Sequence, residues 1–314
     1  MKAFNVLNHA VRAKEILAIL ARHGFADFLD QIELPEGVWR RVLPSRTERR
    51  STAERIRMAA EQLGPTFVKL GQLLSMRPDI LPPDLILELS KLQDQVEPLP
   101  CSIMRPALEE ALGREPAEVF RDFDENPVAA ASLAQVYRAQ LHDGTPVVVK
   151  VQKPDLRRRM ETDFELAVWL ASLLHHRVAR LQPFDLPGML AESRDAILRE
   201  LDFRQEARNQ EYFNALNPHP ERVFAPRVYS AYCGERVLVM ERIAGRSVRE
   251  ASDMDPESRR RLAARGAESL LRQVFIEGFF HADPHAGNLF VTPDGRLCFL
   301  DWGLAGHLTS PDVS

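Results

Sequence analysis

Cysteine is scarce in this chain: Cys101, Cys233 and Cys298 are the only three among 314 residues, and they stand far apart. They form neither a Cys-x-x-Cys metal pair nor an even disulfide set, so a reducing cytosol is the expected setting. Also missing are an apolar run long enough to span a bilayer and the apolar core and small-residue cleavage site of a signal peptide. A cytoplasmic protein, soluble or at most peripheral at the inner face of the cell membrane, is expected. Nor is there an excess of charge: 41 Lys and Arg stand against 45 Asp and Glu, a net charge of -4, which gives no general reason to expect nucleic acid as a partner. What is present, 45% hydrophobic and 27% charged residues, suits a globular protein with a real core, and the length suggests about two domains.

The most informative stretch is residues 279–303. Asp283 is followed five positions later by Asn288. Residues 289–291 and 296–300 read as two short strands about a Pro-Asp-Gly turn at 293–295, and Asp301-Trp302-Gly303 follows the second. A catalytic loop, a hairpin and a metal-binding Asp-x-Gly turn in this order match the part of a protein-kinase-like fold that places an acceptor beside one carboxylate and Mg·ATP beside another. Phosphoryl transfer needs mostly positioning and charge neutralisation, and Mg2+ takes one or two protein carboxylates. Asp301 and Asn288 are therefore assigned to Mg2+, and Asp283 to orienting or deprotonating the acceptor. His281 and His285 have the spacing of a helical metal pair, but Pro284 between them argues for buried, hydrogen-bonded loop histidines instead.

Upstream, residues 2–24 read as an amphipathic helix stopped by Gly24, with Arg12 among its interleaved charges; it packs on its own domain or lies on a membrane surface. Residues 40–52 are Arg-rich, a solvated linker or a contact to anionic lipid heads. Helices follow over 55–63, 67–76, 84–95 and 103–112. By pattern alone Lys69 and Gln72 lie on the solvated face of the second of these.

The character changes near Pro127. An Ala-rich segment, Ala129, Ala130, Ala131, Ser132, Ala134 and Val136, leads into a hairpin turning at His142-Asp143-Gly144. Set on the Gly-rich loop of kinases, Ala129, Ala131 and Ala134 take the glycine positions and Val136 the valine; their Cβ atoms restrict φ and stiffen the loop. Lys150 stands near the end of the apolar run 146–151, where a lysine is unexpected unless it meets an anion such as the α and β phosphates. Long helices are expected over 154–179 and 190–216. Within the second, Asp202 and Glu206 share a face, with Lys150 and Lys69 as candidate cations. Strands follow over 225–229 and 236–241, the backbone from Met240 and Glu241 to Arg242 contacting an adenine edge. Gly245 serves as a hinge, and an amphipathic helix over 259–275 precedes the catalytic loop.

Together these residues resemble the UbiB-like atypical kinases, also called ADCK or Coq-type, of ubiquinone and other prenyl-quinone synthesis. The resemblance runs from about Arg55 onward. It rests on Lys69-Leu70-Gly71-Gln72, the Ala-rich loop, Glu200-Leu201-Asp202, the run from His281 to Asn288, and Asp301-Trp302-Gly303. It implies an α+β, protein-kinase-like two-lobed fold with an N-terminal helical extension. It also implies Lys150 paired with Glu206, and a regulatory lid, Lys69 and Gln72, near Glu200 and Asp202 that blocks protein substrates. The implied cofactors are ATP and Mg2+. The implied partners are prenyl-quinone precursors, quinone-synthesising enzymes and a membrane surface, with self-association left open.

The expected segments are 1–52, 53–126, 127–243 and 244–314. Ala134, Ala286 and Trp302 depart from the family's usual Gly, Pro and Phe. Only eleven residues follow Gly303, so a shortened C-terminal lobe is expected. Two other readings stay open: a phosphotransferase of aminoglycoside-kinase type, and a nucleotide-binding module without catalysis.

Overall fold

A computed structural model describes residues 2–26, 50–92, 96–177 and 185–308. Its helices are α1 (Lys2–Leu20), α2 (Thr52–Leu63), α3 (Pro65–Ser75), α4 (Pro83–Leu89), α5 (Cys101–Leu112), α6 (Pro116–Val119), α7 (Leu156–Arg177), α8 (Leu186–Arg199), α9 (Phe203–Leu216) and α10 (Pro256–Arg272). Its strands are β1 (Phe120–Phe123), β2 (Ala129–Ala130), β3 (Ala134–Leu141), β4 (Pro146–Gln152), β5 (Val223–Phe224), β6 (Val237–Glu241), β7 (Arg246–Ser247), β8 (Phe279–His281), β9 (Leu289–Val291), β10 (Leu297–Phe299) and β11 (Ala305–His307). The chain forms two compact units: Met1–Glu97 with Ala130–Leu133 and Asp155–Arg199, and Pro98–Ala129 with Ala134–Pro154 and Glu200–Ser314. Among the described residues, no helix is long and apolar enough to cross a membrane. Most of the Arg-rich segment 40–52, and residues 178–184 between the two expected long helices, lie outside the described residues.

The first unit is helical. Ser51 starts α2 with a capping box, its hydroxyl accepting from the Glu54 N–H at 3.1 Å while Glu54 Oε2 accepts from the Ser51 N–H at 2.8 Å. Gly64, at φ +102°, separates α2 from α3, and Pro65 opens the new helix. Helix α1 buries Ile16, Leu17 and Ile19 against α2 and α7. Arg12, expected among the exposed charges of α1, is buried instead. Its Nε donates to Asp163 Oδ1 at 2.6 Å, and one terminal nitrogen donates to the Leu63 carbonyl at 2.7 Å. Asp163 is fully buried and also accepts from the Thr66 hydroxyl at 2.6 Å, so the internal charges are paired and hydrogen-bonded. A Cβ at Gly71, inside the Lys-x-Gly-Gln motif, would collide with the Leu92 side chain and come within 3.3 Å of Leu89.

The second unit holds an antiparallel sheet in the order β1-β3-β4-β6. Valines 147, 149 and 151 alternate inward at 0% exposure and pack with Met104 and Leu108 of α5, as period-2 alternation requires. The opposite face, with Val148, Leu238 and Met240, is covered by Phe203 and Ala207 of α9. The β3–β4 turn is built as its residues dictate: Gly144 sits at φ +89°, and Asp143 accepts from the Thr145 N–H at 2.9 Å. A second sheet runs β5-β10-β9-β7, and β8 pairs with β11. The β9–β10 hairpin turns at Gly295, φ +80°, with Leu297 opposite Val291 and Phe299 opposite Leu289.

Three expected elements are corrected. The helix over 190–216 is two helices, because Asp202 caps α9, its carboxylate accepting from the Arg204 N–H at 3.1 Å, and the Phe203 N–H turns to the Glu235 carbonyl at 2.9 Å. Residues 225–229, expected as a strand, form only a single bridge between Val228 and Met240, and the strand β5 lies just before them; Pro226 lacks the N–H a ladder needs. Gly245, expected as a hinge, lies where a Cβ would meet the Val291 carbonyl oxygen at 2.5 Å. Close backbone approach is the reason for glycine there.

Candidate functional site

Alternation along β4 turns Lys150 away from the valine core and toward α9, with Val136 on β3 and Leu238 on β6 as register partners. Its ammonium donates to both oxygens of Glu206, at 2.9 and 2.7 Å, and lies 3.4 Å from Asp301 Oδ2. It also stands 5.2 Å from the Phe203 ring centroid, a cation–π distance. Burial by itself would lower the Lys150 pKa, but Asp301 and Glu206 outweigh it and hold it above its ordinary value. Glu206 is pushed up to about 7 by burial, with Asp301 adding to the rise and Lys150 opposing it. Two carboxylates face one ammonium here. Burial makes the inner one, Glu206, keep its proton to higher pH than an ordinary carboxylate.

Asp301 is half exposed and opens a tight turn, its Oδ1 accepting from the Gly303 N–H at 2.9 Å. A Cβ at Gly303 would come within 3.1 Å of that oxygen. Trp302 between them is fully buried, stacked on Phe213 at 4.4 Å and near Phe279 and His281. Its indole N–H reaches the Phe299 carbonyl at 3.2 Å, so an aromatic larger than Phe is accommodated with its polar atom satisfied.

The loop before the hairpin is tied to the same turn through its backbone. The Leu300 N–H donates to the Asn288 carbonyl at 2.9 Å, and the Ala282 N–H donates to the Leu304 carbonyl at 3.1 Å. Asp283 and Asn288 are both partly exposed. His281 is buried as expected; its Nδ1 accepts from the Asp283 N–H at 3.1 Å, and burial lowers its pKa despite the nearby Asp301 and Asp283. His285 is not buried: it is exposed, with Nε2 3.8 Å from Asp283 Oδ2, because it sits at the open end of the loop. Ala286 is held by the Ser247 hydroxyl, which donates to its carbonyl at 3.0 Å.

The ABC1 atypical kinase-like domain matches residues 91–313, well over half of the chain. The chain belongs to the ABC1 atypical kinase-like family. Relatives of this ABC1 chain include a protein of Aeromonas salmonicida named probable protein kinase UbiB, 41% identical over 83% of this chain and 49% of the relative. A second of that name, from Tolumonas auensis, is 37% identical over 98% of this chain and 59% of the relative. An uncharacterised Synechocystis protein, sll0005, is 38% identical over 85% of this chain and 40% of its own length. The ABC1 chain thus spans about half the length of the curated relatives it matches. Among solved structures, Rv3197 of Mycobacterium tuberculosis in complex with erythromycin superposes with a TM-score of 0.56 and 28% identity, over 82% of this chain and 66% of that one.

Other expected residues of the ABC1 chain fall as follows. Ala134 is buried on β3, Val136 stands opposite Lys150, and Ala129 is exposed, all in the second unit; Ala130, Ala131 and Ser132 belong to the first. Asp155 is the only non-glycine at positive φ among the described residues, so the alanines in the glycine positions need no left-handed backbone. The adenine-edge expectation for Met240 to Arg242 meets an obstacle: the Glu241 N–H donates to the Arg227 carbonyl at 2.8 Å and the Arg242 N–H to the Pro146 carbonyl at 3.4 Å. Met240 itself is buried.

Lys69 and Gln72 are half-buried in the first unit rather than solvated, and the Gln72 amide donates to the Leu92 carbonyl at 3.2 Å. Glu200 is half-buried and adds to the rise of the Glu206 pKa. Asp202 does not share a helical face with Glu206. As the cap of α9 it pairs with Arg204, whose side chain holds its pKa down.

Sequence reasoning missed Phe203, Asn209, Gln210 and Phe213. The signal was available: positions 206, 209, 210 and 213 follow the i, i+3, i+4, i+7 spacing of one helical face.

Proposed function

We propose that the chain binds Mg·ATP around Lys150, Glu206 and Asp301 and acts as an atypical kinase or ATPase of the UbiB type, in support of prenyl-quinone synthesis. The observation that carries this reading is the Lys150 ammonium, held by a buried Glu206 and 3.4 Å from Asp301, beside a loop that supplies Asp283 and Asn288. The residues fit the cofactor. Two carboxylates against one ammonium leave surplus negative charge at a half-exposed aspartate, the setting a divalent cation needs.

Asp301 and Asn288 would hold Mg2+, and Lys150 would bind phosphate oxygens while Glu206 keeps its ammonium in place. The bound ion neutralises charge on those oxygens. Asp283 orients or deprotonates the acceptor. Lys69 and Gln72 are proposed to restrict which acceptors are used, and small prenyl-quinone precursors or quinone-synthesising enzymes at a membrane surface are the partners to test. Slow ATP turnover by the wild type, abolished in Asp301→Asn and in Lys150→Ala, is the expected result. Mg·ATP binding without any turnover would instead favour a regulatory nucleotide module.

A further inference from the structure

The face of α9 that presents Glu206 to Lys150 also grips the backbone on both sides of Asp301. One turn beyond Glu206, the Gln210 side-chain amide donates to the Leu300 carbonyl at 3.3 Å, and the Asn209 amide donates to the Trp302 carbonyl at 2.9 Å. Gln210 is fully buried and Asn209 half-buried. A turn further on, Phe213 stacks on Trp302 at 4.4 Å. Glu206, Asn209, Gln210 and Phe213 lie on one stripe of a helix whose rise is fixed at about 1.5 Å per residue. Their spacing therefore fixes how far the held ammonium stands from the held aspartate.

We infer that Asn209 and Gln210 are positioning residues for the metal carboxylate. They set the place and orientation of Asp301 against Lys150, without either amide touching nucleotide or ion. The inference rests on the reading of Asp301 as a Mg2+ ligand. The chemistry is that of an outer shell around a ligand: a carboxylate whose backbone is clamped at both neighbours is held ready for its ion, and loosening such outer contacts typically costs about 10- to 100-fold in metal affinity.

A purely structural amide would behave differently, and α9 carries the control. Asn214 makes the same kind of contact, donating to the Ala225 carbonyl and accepting from the Ala225 N–H at 2.9 Å each, with no contact to the Asp301 turn. The experiment is a Mg2+ titration of the ATP-induced rise in melting temperature, for wild type, Asn209→Ala, Gln210→Met and Asn214→Ala, each also titrated with ATP in EDTA. Asn209→Ala and Gln210→Met should raise the half-saturating Mg2+ concentration about tenfold, while ATP affinity in EDTA stays within about twofold and Asn214→Ala leaves the Mg2+ midpoint unchanged. Asn209→Ser, which is milder, should move it in the same direction and decides the matter if the alanine variant does not fold. A normal wild-type Mg2+ response that Asn209→Ala, Asn209→Ser and Gln210→Met all retain, or that Asn214→Ala shifts equally, overturns this inference alone. A wild type indifferent to Mg2+ overturns the metal reading and the inference with it.

Discussion

Lys150 and Glu206 set the energetics at the scale of single residues. Removing one partner of a buried pair leaves the other charge uncompensated, so Lys150→Met is expected to cost about 3 kcal/mol of stability at pH 8. The loss should shrink toward pH 5, where Glu206 takes up a proton; guanidinium unfolding at the two pH values measures the difference. In the wild type, burial raises the Glu206 pKa from 4.5 to about 7 in the folded state. The folded protein therefore binds more protons than the unfolded chain between those values, and this group's contribution to stability falls as pH rises through that window. Glu206→Gln should flatten the slope of melting temperature against pH from 4.5 to 7, and a slope identical to wild type would contradict the assignment.

Residue chemistry made part of this legible beforehand. A lysine in an apolar strand demands an anion, and Glu206 and Asp301 supply it; the spacing of Asp283, Asn288 and Asp301 marks the loop and hairpin proposed for catalysis. Arg12 was not legible, because its partner Asp163 lies 151 positions away and no local pattern announces an internal ion pair.

At the scale of elements, turn chemistry was read well and helix junctions poorly. The hairpins at Gly144 and Gly295 form where Asp-Gly sequences place left-handed backbone. The break before α9 was missed because periodicity runs straight through it; a single capping carboxylate, Asp202, outweighs the pattern. The cap sets where α9 begins, and Glu206, in its first turn, is buried beside Lys150. Two substitutions test this packing. Gly245→Ala forces a Cβ against the Val291 backbone and should cost about 1–3 kcal/mol. Trp302→Ala removes a fully buried ring stacked on Phe213 and should cost about 3–5 kcal/mol, whereas Trp302→Phe, which loses the indole N–H but keeps the ring contact, should cost about 1 kcal/mol. Chemical denaturation monitored by far-UV circular dichroism distinguishes these values.

For the molecule as a whole, the elements assigned to phosphoryl transfer fall together in the second compact unit: the Lys150 strand, the Glu206 helix, the Asp283–Asn288 loop and the Asp301 turn. Residues 91–313 match the ABC1 atypical kinase-like domain, and the sequence resemblance to UbiB-like kinases points to the same family. An acceptor for the proposed phosphoryl transfer was not legible, because residues suited to Mg·ATP answer the phosphate's requirements and carry little information about a second substrate.

The most direct measurement is a thermal-shift titration with ATP, with and without Mg2+, on the wild type and on Asp301→Asn. A ligand that binds only the folded state raises the melting temperature. A Mg2+-dependent rise that Asp301→Asn loses is the expected result; no rise in the wild type, or the same rise in both proteins, would contradict a Mg·ATP site at Lys150, Glu206 and Asp301.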